Sequence, residues 1–481
     1  MTDRPCLLPA TEQVRMVRSR ELSARELLAD HLARVDEVNP TVNAVVGLDA
    51  TVAEATAAAV DETLAAGGRP GPLAGLVTAH KDLVETKDFV TTYGSPLFAG
   101  FRPTHDALLV ERMAAAGAVA IGKTNTPELG AGSHTFNPVY GTTRNPWNLE
   151  RSAGGSSGGA AVALRTGMVS IADGSDLGGS LRNPAAWGNV VGFRGTARSV
   201  PKRGPGNAWN HLPIDGPMAR SIDDLLLLLR VLAQPDEADP LSRPINLPPV
   251  ISPPRRPVRV AWSPTVGGNP IDPAIAAATE RFRGELDLLG WEIVDDEPDF
   301  AGADEVFTTL RAFGYADRGT MFGDRIDEVK ATVQDEVARG LALSSTEVAK
   351  ALGHANVLWK RGVEFFERYD LLIAPVAQVP PFPIDQEYPT EVAGVPMGSY
   401  VEWMRVCSRI TALGCPALSL PAGFIQPDDP GAAADGHVGL PVGVQLVARP
   451  WADVELLSMA KAIEATTGHG RRWPPELRSS S

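Results

Sequence analysis

The sequence predicts an α/β fold, a single large α/β/α domain whose mixed central β-sheet is covered by helices. Apolar strand-like segments occur towards both ends of the chain, and they alternate with segments whose apolar residues recur at helical spacing. No repeat or low-complexity segment divides them, and the 44% apolar fraction of 481 residues is sufficient for a sizeable core. We therefore expect one domain over residues 1–474 and a disordered tail over 475–481.

The first part of the chain contains helices followed by a strand, a helix and a second strand. In chain order, the expected elements are helices at 10–38 and 50–66, a strand at 73–82, a helix at 106–116 and a strand at 118–125. Lys81 lies at the end of the first of these strands. The loop that follows, at 124–148, is rich in Pro, Gly, Asn and Thr, and a loop of this length inside a compact domain is usually functional.

The rest of the chain continues the alternation. In chain order we expect a strand and loop at 190–206, a helix at 221–233, a strand at 257–263, a helix at 272–290, strands at 291–294 and 370–377, a helix at 401–414, strands at 416–423 and 440–448, and a helix at 454–468. Ser221 and Asp224 predict a capping box at the start of the first of these helices. Residues 240–257 are a Pro-rich surface linker. Residues 303–370 are mostly helical, and we expect this excursion to cover the substrate.

Charge and cysteine content exclude several classes of function. The formal net charge is -14 and no block of like charge stands out, which argues against nucleic acid or an anionic membrane surface as a partner. The N-terminus lacks a basic start followed by a long apolar run, so a cytoplasmic protein is predicted. Cys6, Cys407 and Cys415 form no CxxC pair and no metal spacing with histidine. We expect a monomeric or homodimeric enzyme for small molecules, without a metal or cofactor.

The chemistry is expected in residues 151–184, where Ser156 and Ser180 each occupy a glycine-rich turn. Glycine turns let backbone N–H groups approach a ligand closely, and a serine held there is a candidate nucleophile. A serine hydroxyl is a weak nucleophile unless a base takes its proton. The sequence must therefore supply that base elsewhere.

The first turn alone is compatible with several kinds of structure. Residues 154–158 satisfy G-x-S-x-G, the nucleophile elbow of an α/β-hydrolase, but the residues before them, 145–153, are turn-like where that motif needs a strand. A phosphate-binding loop is disfavoured because no Gly-Lys-Ser or Gly-Lys-Thr follows. A flexible loop before a helix also fits. The second turn, 173–180, favours catalysis, because two glycines before a serine allow consecutive N–H groups to point at one oxyanion.

These two turns resemble a known family. GGSSGGAAVAL at 154–164 followed by GSDLGGSLRNPA at 174–185 is similar to the signature of the amidase-signature hydrolases. Further matching segments occur in the family's order: HKD at 80–82, TNTPE at 124–128, NPWN at 145–148, GPMARSIDDL at 216–225 and GLPVGVQLVA at 439–448. The resemblance covers nearly the whole chain, and it implies an amidase-signature domain with its core signature region at about 70–235.

The resemblance implies a Ser-cisSer-Lys triad. Ser180 would be the nucleophile, Ser156 the bridging serine on a cis peptide after Gly155, and Lys81 the base. The other implied roles are an oxyanion hole from the N–H groups of Leu177, Gly178, Gly179 and Ser180, and support from Ser157, Asp176 and Arg182. A lysine acts as a base near neutrality only if its pKa falls by roughly 2–3 from about 10.4. The apolar stretch at 73–79 before Lys81 is a suitable desolvating setting.

The substrate is the least determined part of the prediction. Candidate substrate-binding residues are Gly132, Ser133, Phe136, Tyr140, Trp209, Tyr315, Met397 and Tyr400. We expect a small aryl or alkyl amide, and the same acyl-enzyme chemistry admits carbamates (urethanes), anilides and esters. Residues 133–137, SHTFN, depart from the acidic run of the glutamyl-tRNA amidotransferase subunits, which disfavours a tRNA partner. An amidotransferase subunit that works with a partner and a serine esterase of α/β-hydrolase type are the alternatives.

Overall fold

The structure is a computed structural model that describes residues 4–204, 207–433 and 435–475. The helices are α1 (Ala10–Ser19), α2 (Ala24–Val42), α3 (Ala50–Ala65), α4 (Leu108–Ala115), α5 (Gly158–Arg165), α6 (Arg182–Gly188), α7 (Ile222–Leu232), α8 (Pro273–Glu285), α9 (Ala303–Gly319), α10 (Ala331–Ala342), α11 (Ser345–Phe365), α12 (Arg405–Leu413) and α13 (Asp453–Thr467). The residues predicted to be disordered fall almost wholly outside this description, at 476–481.

The strands form one large sheet and four small ones. They are β1 (Val45–Val46), β2 (Val77–Lys81), β3 (Val119–Thr124), β4 (Phe136–Asn137), β5 (Gly141–Thr142), β6 (Arg144–Asn145), β7 (Asn148–Ser152), β8 (Ala172–Asp176), β9 (Val191–Arg194), β10 (Ile214–Ala219), β11 (Arg259–Trp262), β12 (Glu292–Asp295), β13 (Leu371–Pro375), β14 (Glu391–Val392), β15 (Val395–Pro396), β16 (Ala417–Phe424) and β17 (Pro441–Val447). The pairs β4/β5, β6/β7 and β14/β15 are short two-stranded ribbons.

The central sheet has eight strands in the order β12-β11-β13-β17-β16-β9-β10-β8. It is mixed, since β11 pairs in parallel with β12 and β13 whereas the other neighbours are antiparallel. The unit β11–α8–β12 is a parallel crossover in which Asp272 caps the helix and Pro273 occupies its first turn. The predicted mixed α/β sheet covered by helices is confirmed.

The first three strands of the chain lie outside the central sheet. β2 and β3 are parallel and joined by α4, as expected, but they lie with β1 in a separate three-stranded sheet of order β1-β3-β2. Local periodicity indicates that a segment is a strand and does not identify its partner. As a result, Lys81 and the second serine turn belong to different sheets.

The two sheets share one apolar core. The main buried cluster contains Val77 and Ile121 from the three-stranded sheet together with Ala172 and Leu418 from the central sheet. Ser170, two residues before β8, is hydrogen-bonded to the backbone of Val77 in β2. Its N–H donates to Val77 O (2.8 Å), and its Oγ accepts from the Val77 N–H (3.2 Å). The packing of these sheets fixes where Lys81 meets β8.

The excursion at 303–370 is helical, as predicted, and consists of α9, α10 and α11. α11 begins with a reciprocal capping box between Ser344 and Glu347. At α7 the predicted box is only half formed, since Ser221 accepts from the Asp224 N–H without a returned contact. Across the described parts of the chain, no helix is both long and apolar enough to cross a bilayer.

Candidate active site

The structure brings Lys81 and four serines together. Lys81 is the last residue of β2, Ser156 and Ser157 lie in the turn before α5, Ser175 lies on β8, and Ser180 follows in the turn before α6. The peptide bond between Gly155 and Ser156 is cis, as the family resemblance implies. Helix N-termini and a strand end thus surround one point between the two sheets.

The Lys81 side chain is fully buried among hydroxyl groups. Its Nζ lies 2.8 Å from Ser156 Oγ, 2.8 Å from Ser157 Oγ and 3.0 Å from Ser175 Oγ. Burial lowers the pKa of Lys81 to about 7, although the carboxylates of Asp215 and Asp173 oppose the shift. An amine in this setting changes protonation state near neutral pH.

The three contacts match an uncharged amine. A neutral lysine has two N–H donors and one lone pair. Ser157 Oγ lies 3.4 Å from the Ser175 carbonyl and can donate its proton there, so it is free to accept from Lys81. If the neutral amine donates to Ser157 and Ser175, its lone pair is left for the Ser156 hydroxyl. This arrangement allows Ser156 to donate to Lys81.

Asp173 orients Lys81 from behind. Its carboxylate accepts the Lys81 backbone N–H (3.0 Å) and contacts His80 Nδ1 (2.7 Å). Both side chains are buried. Asp173 is not among the predicted site residues, although its position at the start of the second turn, 173–180, was a usable signal.

The turn at 176–180 is organised by Asp176. Its Oδ1 accepts the N–H of Gly179 (2.9 Å) and its Oδ2 accepts the N–H of Leu181 (3.2 Å). The Gly179 N–H is therefore occupied, which differs from its predicted part in the oxyanion hole. The N–H groups of Leu177, Gly178 and Ser180 donate to no other backbone group in the described chain. These three N–H groups are therefore not used by the backbone of the turn.

Arg182 and Arg194 neutralise the buried Asp176. Arg182 forms two hydrogen bonds to the carboxylate at 3.0 Å, and Arg194 Nη1 lies 3.5 Å from Oδ1. Burial opposes ionisation of Asp176, but the two guanidinium groups hold its pKa far below the usual range. The carboxylate is thus ionised at all working pH values and fixes the turn beside Ser180.

The segment before Ser156 is not the turn that the sequence suggested. Residues Asn148–Ser152 form β7, which pairs with β6 in a two-stranded ribbon outside the central sheet.

In the part of the chain that the structure describes, the hydroxyl of Ser156 contacts the Lys81 amine and not a histidine. The side chain of His134, nearby in the chain, contacts Ser152 Oγ (2.7 Å) and the Ile384 carbonyl (3.0 Å). Ser156 and Ser180 form no hydrogen bond with each other among the described residues; the two turns are joined by the Ser157 N–H, which donates to the Ser180 carbonyl (3.2 Å).

The predicted substrate-binding residues divide into two groups. Gly132 and Ser133 pack against Gly155, where an added Cβ would lie 3.0 Å from Gly132 O. Phe136 lies beside Lys330, at 5.1 Å from its Nζ to the ring centre. Trp209 is 68% exposed on the surface. Tyr140 is half-buried next to the β4/β5 ribbon.

Tyr315, Met397 and Tyr400 are buried near the excursion. Arg311 holds both tyrosines, donating to the Tyr400 hydroxyl and, at 3.4 Å, to the Tyr315 hydroxyl. A cavity of about 600 Å³ is lined by Tyr400, Phe307 and Glu336 among others. Sequence analysis named the tyrosines but missed Arg311, whose helical spacing i, i+4 to Tyr315 was the available signal.

α9 lies over both serine turns. The Phe307 ring packs on the second turn, with its Cζ 2.7 Å from where a Cβ on Gly178 would lie. Farther along the helix, Tyr315 shares a small apolar cluster with Leu129 and Ala131 from the loop beside Ser156. The helix therefore bounds the space in front of Ser180.

Comparison with known proteins agrees with this geometry. The amidase family model matches residues 26–457. The chain belongs to the amidase family. As an amidase it is an amide-hydrolysing enzyme for C–N bonds other than peptide bonds, as the sequence predicts.

Relatives of this amidase span the whole chain. The acylamidase of Rhodococcus erythropolis is 33% identical over 98% of this chain and 97% of its own. A glutamyl-tRNA(Gln) amidotransferase subunit of Moorella thermoacetica is 32% identical over 97% of this chain and 98% of its own. A bacterial aryl acylamidase of the amidase signature family superposes with a TM-score of 0.87 at 25% identity, covering 96% of each chain. The fold of this amidase is that of the amidase-signature enzymes.

Proposed function

We propose that this amidase hydrolyses a small aryl or alkyl amide through an acyl-enzyme on Ser180. The observation that carries the proposal is the buried Lys81 amine 2.8 Å from Ser156 Oγ, with a pKa lowered to about 7. A base of this kind is suited to accept a proton near neutral pH. In the proposed relay the next hydroxyl is that of Ser180, in the turn whose Ser180 carbonyl accepts the Ser157 N–H (3.2 Å).

The proposed reaction proceeds by two linked proton transfers. Ser180 Oγ attacks the amide carbonyl as its proton passes to Ser156 Oγ and the Ser156 proton passes to neutral Lys81. The N–H groups of Leu177, Gly178 and Ser180 stabilise the oxyanion. Collapse breaks the C–N bond, and the relay returns a proton to the leaving amine. Water then attacks the acyl-enzyme by the same route and releases the acid.

The substrate class is supported by the surroundings and by relatives. Phe307 and the buried tyrosines Tyr315 and Tyr400 supply an apolar and aromatic boundary near the turn. The acylamidase of Rhodococcus erythropolis and the bacterial aryl acylamidase are named for acyl and aryl acyl amides. Anilides, carbamates and esters fit the same chemistry, and a carbamate would make the enzyme a urethanase.

The proposal is tested with the purified chain and a panel of amide, anilide, carbamate and ester substrates. Ser180→Ala should abolish turnover of every member, because it removes the attacking oxygen. Lys81→Met should lower kcat/KM by about 10³-fold or more, since the relay loses its base. Full activity of either variant contradicts the assigned roles.

A second function is favoured by one observation, the 32% identity to a glutamyl-tRNA(Gln) amidotransferase subunit. Under that alternative the chain would pass ammonia to a partner and would prefer glutamine as its amide. The experiment compares glutamine with acetanilide for the isolated chain. Turnover of acetanilide without a partner supports the small-amide hydrolase, whereas glutamine-restricted activity favours the amidotransferase role.

A further inference from the structure

The loop at 127–132 forms a wall beside Ser156. A Cβ placed on Gly130 would lie 3.8 Å from Ser156 Oγ, so the Gly130 backbone runs within about one side-chain atom of the bridging serine. Leu129 holds a left-handed conformation with φ of 54°, and Gly130 follows with φ of 72°. Residues other than glycine rarely adopt this left-handed backbone conformation unless neighbouring groups support it. Something must hold the loop in place.

The loop satisfies its own N–H groups. Gly130 N donates to Pro127 O (2.9 Å), Ala131 N donates to Glu128 O (3.0 Å), and Leu129 N donates to Tyr93 O (2.6 Å). Two of its carbonyl oxygens, those of Leu129 and Ala131, accept hydrogen bonds from the helical excursion.

Two cationic side chains of the excursion hold the carbonyls on either side of Gly130. Arg318 Nη1, from α9, donates to Leu129 O at 3.2 Å. Lys330 Nζ, just before α10, donates to Ala131 O at 3.0 Å. Hydrogen bonds from charged donors are stronger than those between neutral groups.

Each of these two side chains also has a further neighbour. Arg318 packs over the Tyr315 ring at 5.5 Å and forms no ion pair within the described ranges. Lys330 is also bound to Glu387 (2.7 Å) and lies over the Phe136 ring. The lysine therefore connects the excursion, the Gly130 wall and a predicted substrate-binding residue.

We propose that Arg318 and Lys330 are positioning residues that hold the Gly130 wall against Ser156 and so set the fit of the acyl group in the cleft. The inference rests on the proposed function, in which Ser156 bridges Lys81 and Ser180. A small acyl group depends on a firm wall for its alignment with Ser180, and loss of alignment by about 1 Å costs up to about 100-fold in rate. A bulky acyl group fills the cleft and depends on the wall less.

The test measures kcat and KM for an acetyl and a benzoyl amide of one aromatic amine. Arg318→Met and Lys330→Met keep the apolar stems and remove the donors. Each variant should lower kcat for the acetyl amide by about 10-fold, with KM changed by less than about 3-fold and the benzoyl amide less affected. Lys330→Arg, which keeps a cationic donor, should retain most of the wild-type kcat for the acetyl amide.

Matched controls separate the carbonyl contact from other effects. Glu387→Gln removes the ion pair of Lys330 and leaves its contact with Ala131, while Arg325→Ala removes an exposed pair with Glu328 on the same excursion. Both control variants should have the kcat and KM of the wild type for the acetyl and the benzoyl amide. Equal loss in Glu387→Gln, or an unchanged ratio of acetyl to benzoyl turnover in the Met variants, would overturn the proposal.

Hydrogen exchange supplies a readout that does not need turnover. Amides of residues 128–132 should exchange faster in Arg318→Met and Lys330→Met than in Arg325→Ala, at equal unfolding midpoints. Unchanged exchange contradicts the inference even where activity falls. If the wild type shows no activity that Ser180→Ala removes, the proposed function fails, while the exchange data still decide whether the two residues hold the wall.

Discussion

At the scale of single residues, the site depends on the protonation state of Lys81. The side chain is fully buried with three hydroxyl groups, and burial lowers its pKa to about 7 from the ordinary value of 10.5. Between these two values the unfolded chain binds a proton at Lys81 that the folded chain has released. Linkage then makes folding more favourable as pH rises through this window.

Replacing Lys81 by Met should change how stability depends on pH. The wild type should gain stability relative to Lys81→Met between pH 7 and pH 9.5, by about 3 kcal/mol at most, because each pKa unit corresponds to about 1.4 kcal/mol. Urea unfolding of both proteins at the two pH values measures the difference. Lys123, the other buried lysine with a lowered pKa, is present in both proteins and cancels. A difference that is constant with pH contradicts a lowered pKa at Lys81.

The sequence predicted the residues of the site better than their hydrogen bonds. The two glycine turns carry a strong local pattern that makes Ser156 and Ser180 candidates, whereas Lys81 entered the prediction through the resemblance to the amidase-signature hydrolases. Two contacts could not be predicted from the sequence. Asp176 accepts the Gly179 N–H, and Asp173 accepts the backbone N–H of Lys81. Both depend on the direction of a carboxylate, which tertiary packing decides.

At the scale of elements, α9 and the turn at 176–180 fit together at one point. Phe307 covers Gly178 so closely that a Cβ there would lie 2.7 Å from its ring. Two carbon atoms that are not bonded cannot approach so closely, so either the ring or the turn must move when a side chain is added. The glycine allows the helix to reach the oxyanion donors.

Gly178→Ala should therefore lower kcat/KM by about 10-fold to 100-fold, because it displaces the donors of the oxyanion hole. Phe307→Leu shortens the covering side chain, and the double variant should recover most of the loss. A double-mutant cycle on kcat/KM measures this coupling. Gly353→Ala, in a helix where an added Cβ meets no atom, is the control. A double variant as impaired as Gly178→Ala contradicts the account.

Elements were predictable where their pattern is local. α8, α11 and β16 follow from periodicity and end signals, whereas β10 did not, because its Gly216 and Pro217 are residues that strands usually avoid. Pairing of β10 with β8 and β9 overrides that preference. That β2 belongs to a separate sheet could not be predicted either, because the strands that pair with each other lie far apart in the sequence.

At the scale of the whole molecule, the active site depends on the packing of two sheets. Lys81 comes from the three-stranded sheet, while Ser175 and the turn before α6 come from the edge of the central sheet. One apolar cluster runs through both sheets, and Ser170 links them by backbone contacts. Neither sheet alone could hold the Lys81 amine among the hydroxyl groups.

We therefore expect the described chain to unfold as one cooperative unit, with the site lost at the same step. Circular dichroism, tryptophan fluorescence and residual amidase activity should follow one urea transition with the same midpoint. Ser170→Ala, which removes the Oγ that accepts from Val77, should lower that midpoint without splitting the transition. Two separate transitions would contradict a shared core.

The most direct test of the proposed mechanism is the pH dependence of kcat/KM for an uncharged amide substrate. In the proposed mechanism neutral Lys81 is the base, and its pKa is lowered to about 7, so activity should fall about tenfold for each pH unit below that value and level off above it. A profile that is flat from about pH 5.5 to 9, or that rises only near the ordinary lysine pKa of about 10.4, would contradict it.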